Sequence, residues 1–128
     1  MSIAITSLIV GAVLPYVWVG VAKASARGYD NRDPRGWIAR QGGLTQRANA
    51  AQLNAFEAYP PFAVAMLLGL WAGADADRLG VLGLAFIAAR IAHGVTYLMD
   101  LATPRSLAWF AGIAVVGILF HDAWKAAA

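Results

Sequence analysis

The chain has 128 residues, of which 60% are hydrophobic and 13% are charged, and it contains no cysteine. Ordinary soluble domains carry about 25% charged residues, so this composition excludes a typical water-soluble protein, and no disulfide is possible. The formal charge of +3 does not point to nucleic acid, because most of the cations fall in one loop. A chain of this length is expected to form a single domain, residues 1–128.

Four long apolar stretches follow one another along the chain, and each approaches the roughly 20 residues that span a bilayer as a helix. We expect these helices at residues 3–25, 47–72, 78–100 and 105–125. The first stretch lacks a preceding basic segment, so it is interpreted as a retained helix and not as a signal peptide. Short connections favour antiparallel neighbours. The sequence therefore predicts an all-α integral membrane protein, a four-helix bundle with antiparallel up-down topology.

The positive charges indicate how these helices cross the membrane. Most Lys and Arg residues lie in the first loop, namely Lys23, Arg27, Arg32, Arg35, Arg40 and Arg47. Arg105 lies in the third loop, whereas the opposite side has only Arg78 and Lys125. Because cytoplasmic loops collect Lys and Arg, we expect the first and third loops in the cytoplasm. Both termini would then be periplasmic in a bacterial inner membrane.

Polar residues interrupt the second and third helices at corresponding depths. An ionisable group inside the bilayer costs about 3 kcal/mol unless it is paired. In an antiparallel pair of helices, residues at equal depth would have numbers that sum to about 147, by reflection through the intervening turn. Glu57 and Arg90 meet this condition, and so do Asn54 and His93. Each pair is spaced i, i+3 and shares a helix face, and Arg47 falls on the face of Asn54.

We expect Glu57 and Arg90 to form a desolvated, charge-assisted ion pair. Such a pair alone could simply fix the register of the two helices. The neighbouring amide, imidazole and phenol groups of Asn54, His93 and Tyr97 favour instead a polar cavity between the helices, open toward the cytoplasm. No metal site is expected, because the two histidines of the chain are predicted at opposite sides of the membrane.

Three motifs carry a family resemblance. Residues 47–57 contain an Arg followed by Asn-x-x-Glu, with Pro61-Phe62 shortly after. Residues 90–97 contain Arg-x-x-His-x-x-x-Tyr, and an Arg-Ser step at residues 105–106 opens the fourth helix. With these motifs in order over nearly its whole length, the chain resembles the membrane-associated proteins in eicosanoid and glutathione metabolism (MAPEG), and within them the short bacterial branch.

This resemblance implies a homotrimer embedded in the lipid bilayer, with glutathione bound between neighbouring subunits near the cytoplasmic side. Carried over by position, the residues that contact the peptide would be Asn54, Glu57, His93 and Tyr97. Arg90 would support Glu57, and Arg47 would meet a carboxylate of the ligand.

The resemblance places the chemistry on Arg105 and Ser106. A thiol is nucleophilic only when ionised, so a guanidinium beside the sulfur would activate it, and Ser106 would donate a hydrogen bond. The activity implied is that of a glutathione-dependent transferase or peroxidase acting on hydrophobic electrophiles. The lipophilic second substrate would enter from the bilayer.

Two positions depart from the family pattern. Leu53 and Trp109 stand where the glutathione-using eicosanoid members tend to have Arg and Tyr. An alternative is therefore a non-catalytic membrane protein that keeps the scaffold and binds a lipid or another small anionic ligand. A small transporter is disfavoured, because four helices without inverted repeats do not by themselves form a transport path.

Overall fold

Long apolar segments must satisfy their backbone hydrogen bonds internally within a bilayer, and helices do so. The computed structural model describes all residues, 1–128, and it contains five helices and no strand. They are α1 (Ser2–Ala24), α2 (Pro34–Ala39), α3 (Gly43–Trp71), α4 (Ala76–Leu98) and α5 (Ala102–Ala127). All except α2 are long and apolar enough to cross a membrane. The prediction of an all-α protein with four membrane-spanning helices is confirmed.

The short helix α2 was not predicted, because it lies within a loop that we expected to be irregular. Asp33 caps its first turn by accepting a hydrogen bond from the Gly36 N–H at 3.0 Å, and Pro34 occupies the first helical position. Trp37 is buried and meets Tyr29 edge-on, with ring centroids 5.2 Å apart. An Asp-Pro step is a frequent helix start, so the signal was present in the sequence.

The contacts divide the bundle into two ends. At one end, which we call the loop end, Ser25 and Thr45 share a hydroxyl hydrogen bond of 2.8 Å, and Arg47 reaches the residues that follow α4. The opposite end, which we call the terminal end, holds both chain termini and the turn between α3 and α4. There Arg78 and Asp122 form an ion pair with an Nε–Oδ2 distance of 2.6 Å. The sequence analysis did not predict this pair.

Helices α3 and α4 pack through a core centred on two aromatic rings. Phe62 and Phe86 stack with centroids 3.9 Å apart and an interplanar angle of 3°. Nearer the loop end, Arg90 donates a hydrogen bond to Asn54. The numbers of the first pair sum to 148 and those of the second to 144. The predicted value of 147 therefore describes the middle of this interface, whereas the long Arg90 side chain bonds to Asn54, three residues from its expected partner Glu57.

Helices α1 and α4 pack closely because α4 places glycines against large or polar side chains of α1. A Cβ atom on Gly94 would lie 2.1 Å from the indole of Trp18, and one on Gly83 would lie 2.2 Å from the hydroxyl of Ser7. Small residues of this kind let membrane helices approach closely. This contact fixes the register of α4, which carries several of the predicted site residues.

Helix α5 is the least covered of the long helices, since its only buried residues are Gly112, Leu119 and Ala123. Its large apolar side chains are mostly exposed on the subunit, and they include Leu107, Phe110, Ile113, Ile118, Phe120 and Trp124. A surface of this kind requires hydrocarbon or another protein around it.

Candidate functional site

A polar cavity lies between α3, α4 and α5 near the loop end, with a volume of about 380 Å³. The residues that line it are Asn54, His93, Tyr97, Arg105, Ser106, Trp109 and Phe110. Five of the eight site residues named in the sequence analysis therefore lie around one space. They come from three helices, so the cavity depends on how α5 packs against α3 and α4.

The centre of the polar cavity is an aromatic side chain facing a cation. The guanidinium carbon of Arg105, in the first turn of α5, lies 4.4 Å from the ring centroid of Tyr97, in the last turn of α4. Such cation–π contacts become stronger when the partners are withdrawn from water. His93, one helical turn before Tyr97, is buried and meets its ring edge-on at 5.4 Å. The arrangement presents a positive charge to whatever anionic group occupies the cavity.

A second cavity of about 250 Å³, which we call the deep cavity, lies next to the polar cavity and shares Asn54 with it. Its polar lining is Asn54, Glu57 and Arg90, and the rest is mainly apolar. Arg90 is only 3% exposed and donates from Nη2 to the Asn54 Oδ1 at 3.0 Å. Its Nε–H has no hydrogen-bond partner. One strong donor is therefore left buried and unused.

The expected ion pair between Glu57 and Arg90 is not formed, and that prediction is wrong. Arg90 bonds to Asn54, which lies three residues earlier on α3. A simple reflection through the turn relates positions on the two helix backbones, and it does not determine which residue a long arginine side chain reaches. Glu57 is exposed on the surface of the subunit, where it lines the deep cavity without an ion-pair partner. A carboxylate at this depth requires a donor from outside the subunit or from a ligand.

Arg47 lies outside both cavities, although it was expected to meet a ligand carboxylate. Its Nε donates to the carbonyl oxygen of Leu98 at 3.1 Å, and its Nη1 lies 4.0 Å from the Asp100 carboxylate. The structure thus places Arg47 against the end of α4 and the turn that follows it.

Ser106 and Trp109 lie on the α5 side of the polar cavity. The Ser106 hydroxyl donates to the carbonyl oxygen of Ala102 at 3.1 Å, so it must rotate before it can donate to a ligand. Trp109 is half-buried and meets Phe110 edge-on with centroids 5.1 Å apart. Phe110 also belongs to the exposed apolar surface of α5, so these two rings lie where the polar cavity meets that surface.

A third cavity, which we call the cationic groove, was missed by the sequence analysis. It has a volume of about 560 Å³ and lies between the end of α1, the short helix α2 and the opposite face of α3. Its polar lining comprises Lys23, Arg35, Gln46, Asn49 and Gln52, and Leu53 is among its apolar residues. The three-residue spacing of Gln46, Asn49 and Gln52 in the sequence indicates a polar face on α3. The groove itself could not be predicted from this spacing, because α2 forms its other side. The structure contains no cluster of three or more His, Asp or Glu side chains that could hold a metal ion.

Comparison with known families finds a match to the MAPEG family over residues 3–123. The matched segment contains every residue that lines the polar cavity and the deep cavity. Comparison with curated proteins and with solved structures finds no match.

Proposed function

Because this chain belongs to the MAPEG family, we propose that it is a membrane-bound glutathione-dependent transferase or peroxidase acting on hydrophobic electrophiles. The observation that carries this proposal is the guanidinium of Arg105, held against Tyr97 in a polar cavity that also contains Asn54, His93 and Ser106. The guanidinium of Arg105 can form charge-assisted hydrogen bonds to an anion bound in this cavity. A thiolate is an anion of suitable size and chemistry.

Arg105 activates the thiol in this proposal. A nearby positive charge favours the ionised sulfur, and the thiolate is the nucleophile. Ser106, one residue further along α5, rotates away from Ala102 and donates its hydroxyl hydrogen to the sulfur. The aromatic side chains of Trp109 and Phe110 line the cavity on the lipid side, where the lipophilic substrate approaches the sulfur.

The remaining polar groups hold the peptide part of glutathione. The unpaired Nε–H of Arg90 provides a buried donor for a carboxylate, and Glu57 provides an acceptor for the amino group. Asn54 lies between the two cavities and contacts both parts of the ligand. The roles of Asn54 and Glu57 follow the family pattern by position, whereas the carboxylate contact of Arg90 rests on its unpaired buried donor.

The site is completed by a second copy of the chain in a homotrimer. Glu57 is exposed on each subunit, and the cationic groove offers Lys23, Arg35 and amide groups on another face. An anionic ligand between the cationic groove of one subunit and the arginines of the next favours a head-to-tail interface in which the groove faces the cavities. A head-to-tail interface closes into a ring of three subunits when neighbouring subunits are related by a rotation of about 120°. Glutathione then lies between neighbours.

The chemistry balances in either reaction. In a transfer, the thiolate sulfur forms a bond to the electrophilic carbon, the leaving group departs with its electron pair, and the thiol proton goes to solvent. In a peroxidase reaction, two glutathione molecules are oxidised to the disulfide while the hydroperoxide is reduced to an alcohol and water. The lipophilic substrate reaches the sulfur from the bilayer.

The loops that carry most of the Lys and Arg residues belong on the cytoplasmic side, which places both termini in the periplasm of a bacterial inner membrane. The contact between Arg47 and Leu98 supports this placement, because it brings the first and third loops to one end of the bundle. Accessibility of a single cysteine introduced at Asn31 or at Ala128 of this cysteine-free chain would establish the orientation.

The decisive experiment measures glutathione binding and turnover on the purified protein. Glutathione at ten times its dissociation constant should raise the free energy of unfolding by about 1.4 kcal/mol, read as a higher melting temperature. Conjugation of a model aromatic halide should occur in the wild type and in Arg40→Ala, a loop variant remote from the cavities. Arg105→Ala should lose most of that turnover. Equal rates in Arg105→Ala and the wild type would remove Arg105 from the mechanism.

One observation favours the alternative of a non-catalytic protein that binds a lipid or small anionic ligand. The Ser106 hydroxyl is bonded to its own helix, and Trp109 fills a position where a hydroxyl is typical of the glutathione-using members. Binding of glutathione without conjugation or peroxide reduction would support this alternative. If millimolar glutathione does not bind, the result would support a non-catalytic protein whose ligand is not glutathione.

A further inference from the structure

The turn between α4 and α5 joins the two halves of the polar cavity. Only Met99, Asp100 and Leu101 separate the two helices. His93 and Tyr97 lie before the turn, and Arg105 and Ser106 lie after it. The conformation of three residues therefore sets how far Arg105 lies from Tyr97.

This turn is held in an uncommon backbone conformation. Asp100 has a φ of 61° and is the only residue other than glycine with a positive φ in the chain. The N–H of Asp100 bonds to the Tyr97 carbonyl at 3.1 Å, and the N–H of Leu101 bonds to the Thr96 carbonyl at 2.9 Å. Together these bonds form a Schellman motif, in which glycine is the usual residue at the position of Asp100. Such a conformation persists at a non-glycine residue only when surrounding contacts hold it.

Arg47 supplies the contact that holds the turn. The last carbonyl groups of a helix have no partner within it, and that of Leu98 is not used by the Schellman motif. Arg47 donates to it from Nε at 3.1 Å, and its Nη1 lies 4.0 Å from the Asp100 carboxylate. A cation at the carboxyl end of a helix is also favoured by the helix dipole. One side chain from α3, 51 residues away in sequence from Leu98, thus engages both the helix end and the strained residue.

We propose that Arg47 is a positioning residue that holds the α4–α5 turn, and through it places Arg105 and Ser106 against Tyr97 for thiolate activation. The catalytic part of this inference rests on the proposed function, whereas the structural part does not. Arg47 lines neither the polar cavity nor the deep cavity. It acts through Leu98 and Asp100, and its loss affects the rate at saturating glutathione more than the affinity for glutathione.

Three variants test this inference. Arg47→Met removes the donor and the charge but keeps an unbranched side chain, and Arg47→Lys keeps the charge without the Nε–H. Arg40→Met is the matched control, because Arg40 is an exposed loop residue that pairs only with Asp33. In Arg47→Met, amide hydrogen exchange of residues 99–101 should accelerate by about tenfold or more. The exchange rate in Arg47→Lys should lie between those of Arg47→Met and the wild type, and the rate in Arg40→Met should equal that of the wild type.

A rescue variant separates positioning from general instability. Asp100→Gly accepts the positive φ without a holding contact, so combining it with Arg47→Met should restore most of the lost exchange protection. In the enzyme assay, Arg47→Met should lower kcat by about tenfold while changing the glutathione dissociation constant by less than about twofold. The double variant should recover most of that kcat.

Two results would overturn the inference. One is that residues 99–101 exchange their amide hydrogens at the same rate in Arg47→Met as in the wild type, which would show that the turn does not need Arg47. The other is a glutathione affinity weakened by about tenfold with an unchanged kcat, which would show that Arg47 contacts the ligand directly. If the wild type has no activity with glutathione, the proposed function fails, but the exchange measurements still decide whether Arg47 holds the turn.

Discussion

Two tight turns reverse the chain between membrane-spanning helices, and they meet the same geometric requirement with different residues. After α3, Gly73 takes a φ of 79° and donates to the Leu70 carbonyl, while Ala74 donates to Gly69. After α4, Asp100 takes a φ of 61° in the same pattern of bonds. Glycine adopts this conformation without steric cost, whereas an aspartate adopts it with strain.

The difference corresponds to what lies on either side of each turn. The Gly73 turn is flanked by apolar packing and by the ion pair of Arg78 with Asp122 at the terminal end. The Asp100 turn is flanked by Tyr97 and Arg105, which form the centre of the polar cavity. Strain that is held by neighbouring contacts is typical of functional sites. The glycine turn therefore lies beside structural contacts, whereas the strained turn lies beside the candidate site.

The largest effects are expected when the arginines that follow the two turns are replaced. Arg105→Ala should lower kcat/KM with glutathione by about 100-fold, in the range found when one stabilising donor is removed from an active site, with little change in melting temperature. Arg78→Ala should instead lower the melting temperature and leave kcat/KM nearly unchanged, because it leaves the largely covered carboxylate of Asp122 without its partner. Melting temperatures and conjugation rates of both variants test this. Similar losses of activity in the two variants would contradict the division of roles.

A smaller effect is expected for Gly73→Ala. An L-residue in the left-handed conformation costs about 1–2 kcal/mol relative to glycine, and no nearby residue is positioned as Arg47 is at the other turn. The free energy of unfolding should fall by that amount, while turnover per folded molecule stays unchanged. Denaturant or thermal unfolding in detergent, combined with active-site titration, would measure both quantities. Unchanged stability would show that this turn tolerates side chains as readily as the Asp100 turn.

The smallest effect is expected for Asp100→Gly in the wild-type background. Relief of strain in the folded state is offset by the greater freedom of glycine in the unfolded chain and by loss of the contact with Arg47. Stability should therefore remain within about 1 kcal/mol of the wild type. Because Arg47 still bonds to Leu98, kcat should change little. A gain of several kcal/mol would mean that the strain at Asp100 is larger than its contacts suggest.

Much of this architecture could be predicted from the sequence. The four apolar stretches identified the membrane-spanning helices, and the polar residues of α3 and α4 identified the cavity that contains Asn54, His93 and Tyr97. Hydrophobicity and helical spacing are local properties, so they can be read along the chain. The family motifs then added Arg105 and Ser106, which lie in the same cavity.

The errors arose where the answer depended on packing between helices. A uniform reflection placed Glu57 opposite Arg90, but the long Arg90 side chain bonds instead to Asn54, three residues earlier on α3. The contact of Arg47 with Leu98 depended on where α4 ends, which sequence patterns locate only within a few residues, and its contact with a ligand carboxylate stays a prediction. The cationic groove depended on α2, a helix of only six residues in a polar loop.

The scarcity of buried residues on α5 has a consequence for how the protein would be handled. The helix that carries Arg105 and Ser106 shares little interior with its own subunit, so much of its support must come from outside the fold. We expect dilution in detergent to abolish turnover at protein concentrations where the helical circular-dichroism signal is still intact. Inactivation would then follow the dissociation constant of the assembly, and added lipid would delay it.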